Sequence, residues 1–435
     1  MKIYLDSIGC RLNQAEIERL AREFIAAGHT LTGEPAEADL AVVNTCTVTA
    51  AADADSRQLV RRLKRAGAKR VVVTGCWATL NPEAAAALPG VALVVPNPQK
   101  ENLLRLALPD TPEFDLEPIA RRPIPGSRAR TRAFIKAQDG CDNRCTFCVT
   151  TIARGPGRSV PAERVVADVR AAIRGGAQEV VLTGVHLGSW GLDFTPPQRL
   201  HSLVEAVLAQ TSVPRLRLSS LEPWDLDAEF FSLWRNGRLA PHLHLPLQSG
   251  SASVLRRMAR KTTPSAFARL VETARSLIPD LAVTTDIIVG FPGETDEEFR
   301  ESLEFVRSLE LAGGHVFTYS PRPGTAAAKM PNQVPLQIRK ERNAEMRAVI
   351  AEAAVRFRRR FIGRTLTVLW ESSQPTAEGF ALRGLSGNYL RVVAHSQTDL
   401  WNRFSRVTII AEENGYLRGE IVNAKDAKKC QGRQG

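Results

Sequence analysis

Between residues 132 and 355, short β-branched runs alternate with helical patterns, and this rhythm limits the possible fold more than any other feature of the chain. The runs lie at 133–137, 179–183, 215–219, 242–245, 282–288 and 315–319, with helical patterns between them at 162–174, 265–277 and 296–309. Strands separated by helices belong to parallel α/β sheets. Six such strands fit a parallel (β/α)6 partial barrel; a full eight-stranded barrel would need more chain.

The flanks read differently. Residues 1–105 also alternate, with buried parallel strands expected at 40–43 and 70–73 and amphipathic helices at 15–27 and 55–65. The N-terminus, Met1-Lys-Ile-Tyr-Leu-Asp6, reads as a first strand and not as an apolar secretory leader. A small α/β domain over 1–105 follows. Residues 106–130 bring in Pro109, Pro112, Pro118, Pro123, Pro125 and Gly126, then Arg128 and Arg130, the composition of a linker. A central α/β domain is expected over 131–358, with helical sequence through 338–360. Over 359–425 the pattern changes to short antiparallel strands at 364–370, 389–393, 404–410 and 416–422. They suggest a small β-barrel, a shape common among nucleic-acid-binding proteins. Residues 426–435 form a basic tail, expected to be disordered.

With 44% hydrophobic and 24% charged residues, the chain has the composition of an ordinary globular protein. Its longest uncharged runs, such as 40–52, are too short to cross a bilayer, which argues against a membrane protein and leaves the cytoplasm as the expected location. The formal charge of +12 points to a polyanionic partner, nucleic acid first.

Seven cysteines in such a chain suit metal binding or catalysis better than disulfides. Cys141, Cys145 and Cys148 have C-x3-C-x2-C spacing just after the first strand of the central domain, at the end where α/β barrels place their chemistry. Three thiolates can hold three irons of a [4Fe–4S] cluster and leave the fourth iron open. A tetrahedral zinc site would need a fourth ligand, and none lies close by in sequence. An open iron suits chelation of S-adenosylmethionine (SAM), which one electron then cleaves to a 5′-deoxyadenosyl radical able to take hydrogen from an unactivated C–H bond. Phe147, between two ligands, either shields the cluster or packs in the core. Cys10, Cys46 and Cys76 each follow a strand of the first domain. In a parallel sheet such strand ends share one edge, where ligands bind. They are either a second cluster site, again with one open iron, or three unrelated buried thiols. Cys430, in the tail, is left over as a surface thiol.

The triplet Cys10/Cys46/Cys76, the motif Cys141/Cys145/Cys148 and the terminal β domain together resemble the radical SAM methylthiotransferases over nearly the whole chain. The resemblance implies a methylthiotransferase domain with an auxiliary [4Fe–4S] cluster on Cys10, Cys46 and Cys76. It also implies a radical SAM domain with its own cluster on Cys141, Cys145 and Cys148, and a terminal TRAM domain. Family branches act on isopentenyl-adenosine in tRNA, threonylcarbamoyl-adenosine in tRNA, or a ribosomal-protein aspartate. Three strings are similar to the threonylcarbamoyl branch: Thr131-Arg-Ala-Phe-Ile-Lys-Ala-Gln-Asp-Gly-Cys141, His242-Leu-His-Leu-Pro-Leu-Gln-Ser-Gly-Ser251 and His315-Val-Phe-Thr-Tyr-Ser-Pro-Arg-Pro-Gly-Thr325. Gln138-Asp139 is the most telling pair. Thr151 and Thr318 depart from the family, standing where proline is expected. The implied reaction uses two SAM molecules, one for the radical and one for the methyl group, and places CH₃S on C2 of the adenosine at position 37. The anticodon stem-loop of tRNA is the implied partner, with a flavodoxin- or ferredoxin-like electron donor and a sulfur source. A non-catalytic RNA-binding protein with structural metal is the competing reading, and the vacant iron argues against it.

Residues expected to line the SAM site are Phe147, Gly184, Ser220, Glu222, Gln248, Asp286 and Gly290, mostly at strand ends. Each has a plainer reading as a turn, cap or core residue; for 290–294 the alternative is a tight turn before a helix cap at Thr295. His186, in Thr183-Gly-Val-His-Leu-Gly188, is a further polar candidate. Arg154 is expected to meet SAM carboxylate or RNA phosphate, and Arg356, Arg358, Arg359 and Arg360 to meet RNA phosphate in a non-specific, salt-sensitive way. Asn13 and Asn44 flank auxiliary-cluster ligands and either orient substrate or backbone or cap turns.

Overall fold

The computed structural model describes residues 1–111, 114, 116, 119–122, 124–125 and 131–422. Pro112, Pro118, Pro123, Gly126, Arg128, Arg130, the basic tail and Cys430 lie outside the described residues. The chain divides into two compact units. The first takes in Met1–Asp225, Arg256–Lys261 and Tyr319–Gln333; the second takes in Leu226–Leu255, Thr262–Thr318 and the chain from Val334 onward. No described helix is long and apolar enough to cross a membrane.

The first unit begins with a five-stranded parallel sheet of β1 (Lys2–Ser7), β2 (Thr30–Leu31), β3 (Leu40–Thr45), β4 (Val71–Gly75) and β5 (Val91–Val95), in the order β2-β1-β3-β4-β5. Alternate residues of each strand face opposite sides. Ile3, Leu5, Leu40, Val42 and Val72 pack against Ile17, Leu20 and Phe24 of the helix Arg11–Ala26. Ala41, Val43, Val71 and Val73 pack on the other side against Leu59, Val60 and Leu63 of the helix Ala50–Arg65. Cover on both faces is why these strands read as continuous apolar runs. Each fully buried Val, Leu or Ile contributes about 1.5–3 kcal/mol. The expected helices start earlier than their apolar periodicity suggests. Thr49 caps the second by accepting from Ala52 N, so the helix begins at Ala50.

The proline-rich stretch is no free tether where it is described. Ile124 and Phe114 pack into the first core, and Arg121 pairs with Glu18 at 2.9 Å. The chain then forms β6 (Arg132–Lys136), the two-residue strands β7 (Gln138–Asp139) and β8 (Arg158–Ser159), β9 (Glu179–Thr183) and β10 (Arg215–Leu218). β10, β9 and β6 make a three-stranded parallel sheet, and β7 pairs antiparallel with β8.

The second unit contains a parallel sheet of β11 (His242–His244), β12 (Ala282–Val289) and β13 (Gly313–Thr318). The six strands expected between 132 and 355 are thus present as two parallel threes, three strands in each unit. After the helix Leu336–Arg359 come β14 (Thr365–Thr376), β15 (Gly379–Ser386), β16 (Arg391–Ser396), β17 (Phe404–Glu413) and β18 (Tyr416–Ile421). They close as a barrel in the order β14-β15-β16-β18-β17, the expected TRAM-like end. Val368, Trp370, Leu382, Val392, Val407, Ile409 and Leu417 fill it, with Phe357 and Phe361 packed against them. Two corrections apply here. β15 was not among the expected strands, because Gly-Phe-Ala-Leu-Arg-Gly-Leu-Ser carries little β-branched signal. The strand expected from Tyr389 starts at Arg391, because Tyr389 has φ 67 and belongs to the turn.

Candidate metal centres

β1, β3 and β4 are parallel neighbours, so their C-terminal ends lie along one sheet edge. Cys46 directly follows the last residue of β3, Cys76 directly follows the last residue of β4, and Cys10 follows β1 after Ile8-Gly9. Adjacent strands lie about 4.8 Å apart, so cysteines far apart in sequence share this edge. Cys46 and Cys76 are buried and Cys10 is exposed. Gly9, at φ 105, packs so closely that a Cβ there would lie 2.6 Å from Cys46 Sγ. Only glycine fits that turn. Cys10 is the N-cap of the helix Arg11–Ala26 and makes no side-chain capping bond; desolvation pushes its thiol up, and the nearby Arg154 charge opposes the rise only in part. Asn97 Nδ2 lies 3.6 Å from Cys76 Sγ, and Asn97 Oδ1 is buried with no hydrogen-bond partner.

Behind this edge lies a buried network of charges. Arg154 Nη1 donates to Glu16 Oε1 at 2.9 Å and Asp139 Oδ1 at 2.8 Å, and its Nη2 donates to Asn13 Oδ1 at 2.8 Å and Glu16 Oε2 at 3.2 Å. Lys100 Nζ donates to Glu16 Oε2 at 2.8 Å and Asn44 Oδ1 at 3.1 Å. Asn13 Nδ2 donates to the carbonyls of Ile8 and Thr45, which settles its expected role as bracing backbone. Asn44 likewise donates to Asn13 O and Glu16 Oε2. Burial favours the neutral acid at Glu16, but Arg154 and Lys100 outweigh it and hold Glu16 well below the usual carboxylate range.

These residues suit an iron–sulfur cluster. Burial pushes the Cys46 thiol up to about 11, and charge on Cys10 and Cys76 adds to the rise. Such a site becomes comfortable when a metal cation replaces the protons. Among the described residues no three His, Cys, Asp or Glu side chains converge as a single-ion site requires, whereas a four-iron cluster holds its thiolates farther apart.

The other triplet sits on an excursion bounded by β7 and β8. Gly140, at φ 68, turns the chain where a Cβ would lie 1.9 Å from Pro156 O. Cys141 N donates to Gly155 O at 3.1 Å, and Cys148 N donates to Cys145 O at 3.1 Å. Thr146 between them is held by three bonds: its N donates to Met258 O, its Oγ1 to Arg257 O, and its O accepts from Ala327 N. Thr151, where proline was expected, uses its hydroxyl to donate to Cys148 O at 3.1 Å, which proline could not do. Arg260 Nη1 lies 3.7 Å from Cys145 Sγ and, with Nη2, clamps Glu222 at 3.0 and 2.6 Å. The same guanidinium sits 4.6 Å over the Trp224 ring. Neither Arg260 nor Trp224 carried any motif signal. His186 Nε2 pairs with Asp225 at 2.6 Å, and its Nδ1 lies 3.3 Å from Asn143 Nδ2. Burial opposes its charge, but the bonds to Asp225 and Cys141 raise His186 to about 10. Arg322 Nη2 reaches Thr47 at 2.8 Å and Asp53 at 2.5 Å, pinning Pro321-Arg-Pro323 to the loop after Cys46.

Of the residues expected around SAM, Phe147, Gly184, Ser220 and Glu222 lie in the first unit with Cys141. Phe147 is half-buried in the cysteine loop. Gly184 makes room for Gln138: a Cβ there would lie 2.8 Å from Gln138 Oε1, which accepts from His186 N at 2.8 Å. Gln138 Nε2 donates to Asp139 O and Gly140 O, so this side chain locks the turn into Cys141. Ser220 is half-buried after β10. Gln248, Asp286 and Gly290 belong to the second unit. Gln248 has φ 75, a strained backbone for a residue with a side chain. Asp286 Oδ2 lies 3.2 Å from His244 Nε2, and its Oδ1 is buried without a partner. Gly290 N donates to Glu294 Oε2 at 2.6 Å, and Thr295 forms a capping box with Glu298, which matches the plainer reading of 290–294.

The expectation for Arg154 needs correction. Its side chain is 1% exposed and both terminal nitrogens are taken, so it faces neither solvent nor phosphate. Its position in an Arg-Gly-Pro-Gly-Arg loop suggested exposure, but Glu16 and Asp139 draw it inward. Arg358 is largely committed to Glu412 at 3.0 Å, whereas Arg356, Arg359 and Arg360 are exposed.

Comparison with known proteins agrees with this geometry. Residues 135–306 match the radical SAM superfamily, and residues 2–96 match the uncharacterized protein family UPF0004. The threonylcarbamoyladenosine tRNA methylthiotransferase MtaB of Bacillus subtilis is 35% identical over 431 residues, covering 96% of this chain and 95% of that protein. The MtaB of Thermotoga maritima is 36% identical over 406 residues, covering 89% of each. The tRNA-2-methylthio-N(6)-dimethylallyladenosine synthase of Caldicellulosiruptor saccharolyticus is 31% identical over 441 residues, covering 96% of this chain and 92% of that protein. In fold, the chain is similar to the radical SAM methyltransferase TsrM of Kitasatospora setae, with TM-score 0.57, 17% identity and coverage of 75% of this chain and 77% of that one. The chain belongs to the radical SAM methylthiotransferases, enzymes that work with SAM and a [4Fe–4S] cluster.

Proposed function

We propose that the chain adds a methylthio group to C2 of N6-threonylcarbamoyladenosine at position 37 of tRNA, with two SAM molecules and two [4Fe–4S] clusters. The observation that carries this reading is the pair of cysteine triplets, one on adjacent strand ends and one in a single loop, in a chain alignable nearly end to end with MtaB. On this reading Cys141, Cys145 and Cys148 hold the cluster that binds SAM, and Cys10, Cys46 and Cys76 hold the auxiliary one. When bound, the two clusters supply SAM cleavage and a site for sulfur.

The chain's own residues place and seal these groups. Gln138 fixes the turn into Cys141, Thr146 anchors the loop from both sides, and Arg260 holds the Glu222 carboxylate beside Cys145. Phe147, Gly184, Ser220, Glu222, Gln248, Asp286 and Gly290 are assigned to SAM. Exposed Arg356, Arg359 and Arg360 are assigned to phosphates of the anticodon stem-loop. The assigned domains are 1–105, a connecting stretch over 106–130, 131–358 and 359–425. A flavodoxin- or ferredoxin-like protein supplies electrons, a separate source supplies sulfur, and the reaction runs in the cytoplasm.

Nucleoside mass spectrometry of tRNA from a strain lacking the gene tests the substrate. Loss of the methylthio form of threonylcarbamoyl-adenosine is expected. Loss of the isopentenyl form instead would move the chain to the second reading, which the 31% identity to a dimethylallyladenosine synthase keeps in view. If both forms survived, the tRNA substrate would be wrong, and a ribosomal-protein aspartate would be next to examine. Anaerobic reconstitution should load about eight irons per chain. Zinc in their place, with no 5′-deoxyadenosine formed, would reverse the enzymatic reading.

A further inference from the structure

The geometry points to Arg154 as a positioning residue shared by both cysteine loops: a buried cation that sets the electrostatics of the Cys10/Cys46/Cys76 edge while fixing the backbone ahead of Cys141. The inference rests on the two-cluster reading above and adds a residue that is a ligand in neither set.

Arg154 lies on the short helix Thr150–Arg154, just after the Cys148 end of its loop. Its Nη1 reaches Asp139, whose Oδ1 also accepts from Gly140 N at 2.8 Å, directly before Cys141. Its Nη2 reaches Asn13 Oδ1, which lies 3.8 Å from Cys10 Sγ. The flanking backbone repeats the connection. Ala153 O accepts from Asn97 Nδ2, the atom 3.6 Å from Cys76 Sγ, and Gly155 O accepts from Cys141 N. Residues 153–155 therefore touch partners of Cys10, Cys76 and Cys141, and the network closes within one compact unit.

Charge gives this placement a purpose beyond packing. Three thiolates around a four-iron core make an anionic group, and reduction makes it more so. Buried Arg154 and Lys100 balance Glu16 and Asp139, and half-buried Lys136, shared between Asp139 and the exposed Glu101, adds cationic charge, so the thiolates at that edge face no net buried negative charge. The Cys76 thiolate is among the charges that act on Arg154, after burial and Glu16. A fixed cation in a low-dielectric interior stabilises the more negative, reduced state, and the planar guanidinium bridges two carboxylates in a way an ammonium cannot. A role in packing alone would affect folding and leave the potential where it is.

The test uses the full chain carrying Cys141→Ala, Cys145→Ala and Cys148→Ala, reconstituted with iron and sulfide, so that only the edge triplet can bind. The midpoint potential is followed by EPR. Arg154→Gln should make reduction about tenfold less favourable, a shift of about 59 mV to lower potential for one electron, and Arg154→Lys, which keeps the charge but not the bridge between carboxylates, should restore part of it. Asp139→Asn, although it lies in the other loop, should raise the potential of this same cluster. It also decides the matter if Arg154→Gln does not fold. A potential unmoved by Asp139→Asn, or by Arg154→Gln in a folded, iron-loaded chain, overturns the role of Arg154. A triple-alanine chain that takes up no iron with Arg154 intact overturns the two-cluster reading itself, and this inference with it.

Discussion

Cys141, Cys145 and Cys148 share one loop, whereas Cys10, Cys46 and Cys76 stand on three strand ends and share nothing in sequence. In the loop, spacing alone keeps the sulfurs together, and distant segments act as braces through Thr146 and Arg260. At the edge, the sheet does the gathering. Ser7 pairs with Asn44 and Thr45 pairs with Gly75, and a one-residue slip in either register would carry a cysteine away and turn every strand side chain to the wrong face. The loop is thus a local device that needs support, and the edge is a tertiary device whose support is the fold itself. A change to the sheet should therefore cost the edge its metal before it costs the loop anything.

The largest effects should separate the two triplets chemically. Cys141→Ala should abolish reductive cleavage of SAM, measured as 5′-deoxyadenosine. Cys46→Ala should spare cleavage and lose methylthiolated product. Full product from Cys46→Ala would collapse the distinction. Next come the glycines. Gly140→Ala places a Cβ against Pro156 O and should empty the loop, whereas Gly9→Ala places one against Cys46 and should empty the edge. Each should remove about half of the iron, roughly four atoms per chain, and EPR of the remaining cluster identifies which site was lost.

A smaller effect, on stability, lies outside both triplets. Glu179 on β9 is fully buried and clamped by Arg217 at 2.8 Å. Burial opposes its ionisation, but Arg217 and Arg215 prevail and bring it down to about 2. Because the folded value is depressed, this contribution is complete above the ordinary carboxylate value of about 4.3 and is lost as pH falls through about 2. Glu179→Gln should lose about 3–5 kcal/mol in denaturant titrations at pH 7 and should show a flatter acid slope than the parent. Equal slopes would mean that Glu179 is not held this way. The smallest effect is expected at Arg359→Ala. It should weaken tRNA binding uniformly and reduce the salt slope by about one, with both clusters intact.

The loop triplet was legible because its spacing is local. The edge triplet was half legible: each cysteine follows a β-branched run, but only the observed order β1-β3-β4 makes them neighbours. Arg154 reads as exposed in the sequence because its partners, Glu16 and Asn13, come from the first helix, and nothing near Arg154 in sequence points to them. Arg260 and Trp224 were invisible for the same reason. The Gln138-Asp139 pair drew notice by resemblance, and its physical role, locking a turn and bracing a buried cation, needed coordinates. In the barrel, the strands rich in Val, Ile and Leu were found, and the Gly/Ala/Ser-containing β15 was not, since its place is set by β14 and β16 on either side.

That barrel closes through a single parallel pairing, Val392 with Leu417 and Val393 with Arg418, between strands that otherwise run in an antiparallel array. Without it β16 and β18 would each show a row of unpaired amides, an invitation to strand addition and amyloid-like stacking. This two-residue register therefore shields two strand edges from self-association, and Val393→Pro should make the protein aggregate on concentration.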